Sequence, residues 1–257
     1  MTRRRVLAAL LSVLAVAWPG FVHADESDLV VSVAVSLKEP LFAAIEDFAQ
    51  GKRLPTIDMH TGGSSVLAQQ ILRGAPTDVF LSASPLEIER LANAKLVDRT
   101  CPLGGNSLVV VVAVGGQRLD ALQHLLDPRF ARIGVANPRT APLGRYTQQA
   151  LEAASVLADL KDRRIPAEHA RQVVDYVARG EVDAAVIYAT DADRFADRVS
   201  IALEIDPDLH RPIMYQAALL EDASPGPWGQ RLFEFLCSEA GRARFVESGL
   251  TPWPGPR

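Results

Sequence analysis

Short runs of β-branched residues alternate along this 257-residue chain with stretches whose apolar residues recur at helical spacing. A chain patterned this way buries the first kind of segment as strands of a largely parallel sheet and covers them with the second as helices, an α/β arrangement. Residues 29–35, 56–60, 78–83, 107–114, 133–136, 184–188 and 199–203 read as strands, and 211–220 as a return strand. Residues 40–48, 66–72, 85–94, 119–126, 146–160 and 168–180 read as helices, and 228–246 as a helical stretch interrupted at Gly241. Leu103-Gly104-Gly105-Asn106 reads as a turn at the crossing into a second lobe, and the Pro-rich residues 251–257 as coil. The layout is two α/β lobes joined by at least two crossings, and open α/β sheets take their ligands in the cleft beyond the strand ends.

Four junctions between an extended segment and a helix stand out. They are Ser36 after the first strand, Gly62-Gly63-Ser64-Ser65 after the second, Asn137 to Gly144 with Pro142 and Leu143, and Ile165 to Arg171 with Ala170. A helix start carries unpaired N–H groups and a fractional positive charge. Several aimed at one point would hold a dianion with no Lys or Arg touching it. Taken singly, Ser36, Ser64 and Ser65 read first as N-caps, and Tyr188, ending a buried strand, as a core residue with a satisfied hydroxyl.

Composition narrows the function classes. The net charge is −4, and the one basic run is Arg3-Arg4-Arg5, so nucleic acid is not an expected partner. That run, the apolar residues 6–17 and Val22-His23-Ala24 together read as a cleavable export leader over residues 1–24, with the mature chain starting at Asp25. General secretory and twin-arginine routes both remain open. Export permits a bridge between the two cysteines, Cys101 and Cys237, but their spacing does not decide between a disulfide and two buried thiols.

Enzyme signatures are missing. The chain has no G-x-S-x-G, H-E-x-x-H, G-x-x-x-x-G-K-[ST] or C-x-x-C, and no His/Cys/Asp spacing suited to a metal. Ser64, His169 and Asp191 could be drawn as a triad, but nothing in the sequence places them together. The expectation is a binding protein, neither an enzyme nor the holder of a cofactor.

Six segments, in order, carry a resemblance. They are Ala34-Val35-Ser36-Leu37, residues 63–71, residues 74–83, residues 103–110, Asn137-Pro138 with residues 142–146, and residues 180–188. Together they resemble the periplasmic molybdate-binding proteins of ABC importers, over nearly all of the expected mature chain. The resemblance implies a type II periplasmic-binding-protein fold with a hinged interlobe cleft, lobe I being residues 25–105 plus 209–257 and lobe II residues 106–208. It implies capture of molybdate or tungstate, delivery to a membrane permease, a periplasmic location and a monomer; sulfate or thiosulfate is the alternative ligand. Carried across by position, the ligand shell falls on the hydroxyls of Ser36 and Ser64, the backbone N–H groups of Ser64, Leu143 and Ala170, and the Tyr188 phenol, with Ser65 as second choice. The metal would be held only as its oxyanion. Two departures stand out: Leu143 is bulkier than the family's small residue, and Gly62-Gly63 replaces an Ala-Ser-like pair.

Overall fold

In the computed structural model, residues 29–221 and 227–252 are described. The expected leader, residues 225–226 and the tail beyond 252 lie outside them. The chain opens with β1 (Leu29–Ala34), α1 (Lys38–Ala49), β2 (Ile57–Gly62), α2 (Ser64–Leu72), β3 (Val79–Ser82), α3 (Pro85–Asn93) and β4 (Val97–Asn106). It continues through β5 (Leu108–Ala113), β6 (Ile133–Ala136), α4 (Pro142–Ala153), β7 (Arg164–Ala167), α5 (Ala170–Ala178), β8 (Ala184–Tyr188), α6 (Ala189–Arg194) and β9 (Val199–Glu204). It closes with β10 (Ile213–Leu220), α7 (Trp228–Cys237) and α8 (Glu239–Glu247).

These strands form two five-stranded sheets, ordered β2-β1-β3-β10-β4 and β7-β6-β8-β5-β9. The chain leaves the first sheet after β4 and returns to it with β10. Each sheet is mixed rather than purely parallel: β10 runs antiparallel to β3 and β4, and β5 antiparallel to β8 and β9. The valine run of β5 lies inside its sheet, with Val110 and Val111 fully buried, as a strand covered on both faces requires.

Register positions the junctions. β1 and β2 run parallel with Ala34 opposite Gly62, and β6 and β7 run parallel with Ala136 opposite Ala167. Equal register at the carboxyl ends of parallel neighbours brings their following turns side by side, at the edge where α/β sheets bind ligands.

Several segments differ from the sequence reading. The expected glycine turn at 103–106 is the end of β4, a strand not anticipated. Gly105 is flanked by Met214 of β10 and, on its other side, by Thr251: the Gly105 N–H donates to the Thr251 carbonyl at 2.7 Å, and the Thr251 N–H donates back at 3.0 Å. A Cβ on Gly105 would lie 2.6 Å from Thr251 Oγ1, so glycine serves close approach here and not a turn. Thr251 is thus paired rather than coil. The first strand ends at Ala34, and Ser36 sits in a 3-10 turn, Val35–Leu37. Residues 119–126 yield only a 3-10 turn, Leu122–Leu126, cut short before Asp127-Pro128. The helix expected over 146–160 starts earlier, at Pro142, and stops at Ala153, where Ser155 turns to a φ of 59°.

Residues 164–167, expected as a junction, form the edge strand β7; Pro166 is tolerated because an edge strand need not donate on both sides. The last helical stretch breaks at Ser238 and not at Gly241. The Ser238 hydroxyl accepts the Gly241 N–H at 3.1 Å and caps α8, while Gly241 packs on the Phe235 carbonyl, where a Cβ would lie 2.0 Å away.

Cys101 of β4 and Cys237 at the end of α7 form a disulfide, with Cα atoms 5.8 Å apart. It ties a sheet edge to the C-terminal helices across 136 residues of sequence. A cross-link spanning so long a loop removes much unfolded-chain entropy. Replacing both cysteines (Cys101→Ser with Cys237→Ser) is expected to lower stability by about 2–5 kcal/mol, read as a lower urea midpoint. A midpoint equal to that of the oxidised wild type would show that the bridge adds nothing.

Candidate functional site

The carboxyl ends of the two sheets face each other across one small cavity. Ser36, Ser64, Leu143, Ala170 and Tyr188 all line it, with Ser36 and Ser64 contributed from the first sheet's side and the other three from the second's. Its volume is about 10 Å³, room for about one water-sized group; pockets for organic ligands are far larger. No Lys, Arg, Asp or Glu is among the described residues lining it.

Each element delivers a donor for a physical reason. Ser64 is the first residue of α2, and Gly63 before it has no side chain to cap the exposed N–H groups. Leu143 occupies the first turn of α4 behind Pro142, and its N-cap, Ala141, also offers no side-chain acceptor. Ala170 opens α5. There His169 is the N-cap, its ring accepting the Gln172 N–H of the first turn at 3.2 Å and not the Ala170 N–H. Leu143 is fully buried and part of the hydrophobic core, so its greater bulk is taken up by packing.

The hydroxyls are oriented by what lies behind them. Ser64 Oγ accepts the Ala83 backbone N–H at 3.0 Å, which leaves the serine hydrogen free to donate. Tyr188 is 1% exposed and its hydroxyl has no partner among the described residues. Burial pushes this phenol well above its ordinary pKa, so it stays protonated and is a donor. Its ring packs edge-on against Tyr215 at 5.6 Å. The Tyr215 hydroxyl accepts the Asn106 amide N–H at 2.9 Å. The Asn106 oxygen accepts the Ser107 N–H at 2.9 Å, which fixes the amide with its nitrogen toward Tyr215. None of the three serines caps a helix through its side chain.

Ser65 does not line the cavity. Its hydroxyl donates to Glu87 Oε1 at 2.9 Å and accepts from Arg145 Nη1 at 3.0 Å. His169 and Asp191 do not join Ser64 there either. Asp191 is buried behind Tyr188 near Arg171; burial raises its carboxyl to about 6 despite the opposing guanidinium. Among the described residues no cluster of three or more His, Cys, Asp or Glu is placed to hold a metal ion.

The lobes meet around the cavity. A Cβ on Gly63 would lie 2.4 Å from the Thr140 carbonyl oxygen, so backbone of one lobe rests on backbone of the other. Arg145 pairs with Glu87 at 2.7 Å, and Arg171 and Arg194 reach Glu39 at 3.1 and 3.6 Å. Arg145 lies within a matched segment, but nothing in its local pattern announces a partner 58 residues away in sequence.

This geometry has counterparts among known proteins. Residues 29–251 match the family described as bacterial extracellular solute-binding protein. A putative ABC transporter substrate-binding lipoprotein of Bacillus subtilis is 29% identical over 87% of this chain and 86% of its own length. A molybdate-binding protein of Haemophilus influenzae is 26% identical over 95% of this chain and 98% of its own. The solved periplasmic molybdate-binding protein of Azotobacter vinelandii, at 21% identity, superposes with a TM-score of 0.78 over 88% of this chain and all of that one. With a match of this extent laid over both sheets and all five cavity positions, the chain belongs to the bacterial extracellular solute-binding proteins.

Proposed function

We propose that this protein captures molybdate, and tungstate as an ion of nearly equal size, between its lobes and delivers it to the membrane permease of an ABC importer. It does so by binding alone, without catalysis, as an exported periplasmic monomer with a cleaved leader. The observation that carries this reading is the convergence of Ser36, Ser64, Leu143, Ala170 and Tyr188 on one small cavity whose wall holds no charged side chain. The family match supports a solute-binding role, and the molybdate-binding relatives support the same ligand class.

The chemistry of the donors selects the guest. Hydroxyls of Ser36, Ser64 and Tyr188 and the first-turn N–H groups of α2, α4 and α5 supply hydrogens and no obligatory acceptor. A fully ionised oxyanion accepts at every oxygen and is satisfied by such a set once water is excluded. A protonated anion such as hydrogen phosphate would bring a hydrogen with nowhere to go, a buried unmet donor costing about 1–3 kcal/mol. Sulfate is also fully ionised, so size must separate it: the smaller ion cannot touch donors on both sides of the cavity at once. The permease then reads the closed form, opening and closing being a motion about the two interlobe crossings.

Calorimetry with molybdate, tungstate and sulfate is expected to show tight, near-equal binding of the first two and much weaker binding of sulfate. Sulfate binding as tightly as molybdate would remove the size argument. Ser36→Ala is expected to cost ~1.5–3 kcal/mol of molybdate affinity, the range for a hydrogen bond to a charged group. An unchanged dissociation constant would show that Ser36 contributes only to its own turn.

A further inference from the structure

The two helices that open onto the cavity from opposite lobes are also fastened to each other. Arg145, two residues beyond Leu143 in the first turn of α4, donates from Nη2 to both carboxylate oxygens of Glu87, at 2.7 and 2.8 Å. From Nη1 it donates to Ser65 Oγ at 3.0 Å, next to Ser64 in the first turn of α2. Ser65 in turn donates to Glu87 Oε1 at 2.9 Å, so the three side chains close a ring. Glu87, on α3, has a fully buried side chain and Arg145 is 26% exposed. On the other side of the same two helix starts, Gly63, the N-cap of α2, rests against the carbonyl of Thr140 just ahead of α4. The Thr140 hydroxyl donates to the Glu168 carbonyl at 2.9 Å, which ties that loop to the one leading into α5.

Separation of the lobes would strip Glu87 of Arg145, whose Nη2 meets both of its oxygens. A buried carboxylate that loses its guanidinium is strongly destabilised unless water reaches it, so this pair belongs to the closed arrangement. Its planar fork fixes distance and angle together, which a flexible point charge does not. The Gly63–Thr140 contact limits approach from the other direction, because two backbones in contact cannot draw closer.

We propose that Arg145, Glu87 and Ser65 form a brace, and Gly63 against Thr140 a stop, that together position the donors of Ser64 and Leu143 and hold a bound anion against release. None of these five residues touches the anion through a side chain. They act through the spacing of the two helix starts, so they are positioning residues, and this rests on the oxyanion reading above. Association takes place before the brace forms and is insensitive to it; dissociation requires breaking it.

Stopped-flow binding of molybdate to the full mature protein separates the two rates. Glu87→Gln, which keeps the shape and removes the charge, and Arg145→Lys, which keeps the charge and removes the fork, are each expected to raise the dissociation rate about tenfold or more. Association should stay within about twofold of wild type, as is usual when an interaction is absent from the encounter. Gly63→Ala is the variant least exposed to a folding defect. Its methyl meets the Thr140 carbonyl only when the lobes close, so its ligand-free melting temperature should match wild type while molybdate dissociates faster. Slower association with unchanged release in the brace variants, or an unchanged dissociation rate in Gly63→Ala, overturns the proposal. Wild type that binds neither molybdate nor tungstate overturns the oxyanion reading itself, whereas tight wild-type binding with unaltered variant release overturns the brace alone.

Discussion

The structure depends on helix starts left uncapped by side chains. Four unpaired N–H groups at the beginning of a helix are ordinarily met by a Ser, Thr, Asp or Asn just before it, or by water. Here the residue before α2 is Gly63 and the residue before α4 is Ala141, and neither offers an acceptor. Ser64 and Ser65 lie one and two positions past the cap site, inside α2, with hydroxyls turned to other work. Such ends are tolerable in a buried place only if something else accepts their hydrogens. A small dianion does this better than water, since each hydrogen bond to it is charge-assisted.

Register converts that local property into a site. Because Ala34 stands opposite Gly62 and Ala136 opposite Ala167, the donors of each lobe emerge as neighbours and not scattered along a sheet edge. The second lobe repeats the arrangement of the first with different residues, and the two sets face each other. The hydroxyls are then constrained from behind. The Ala83 N–H occupies a lone pair of Ser64, and the chain from Ser107 through Asn106 holds the Tyr215 hydroxyl. A hydroxyl whose oxygen is already an acceptor keeps its hydrogen for the ligand, as Ser64 does.

Much of this was legible in the sequence because it is local. A β-branched run followed by Gly, Ser or Pro and then by helical periodicity marks a strand-to-helix junction whatever the distant residues do. Local pattern marked the junctions that hold Ser36, Ser64, Leu143 and Ala170, while the choice of those four with Tyr188 as a ligand shell came from the family resemblance; all five line one cavity. What was missed depends on residues far away in the chain. Gly104-Gly105 reads as a turn until Thr251 is seen lying against it, and Arg164–Ala167 reads as loop until it pairs with β6. The bridge from Cys101 to Cys237 needs two Cα atoms brought to 5.8 Å, which no spacing reveals. Ser65 looked like a spare hydroxyl for the same reason: its partners, Glu87 and Arg145, come from other elements.

That last residue shows how full charge can serve a site built on neutrality. Arg145 lies two residues from Leu143, yet its guanidinium is already engaged, Nη2 with both oxygens of Glu87 and Nη1 with Ser65. Were the guanidinium free, Coulomb attraction in a low-dielectric cleft would favour any anion and blunt the distinction between a dianion of one size and a monoanion of another. Paired with Glu87, it contributes rigidity while its field is largely cancelled, and discrimination is left to hydrogen-bond count and cavity width. The glycine at 63 permits a backbone approach that any Cβ would prevent, so this chain's cavity is set by a closer meeting of its lobes than a substituted residue would allow. Leu143 on the facing helix is absorbed into the core behind it, so what that position offers the cavity is its backbone N–H.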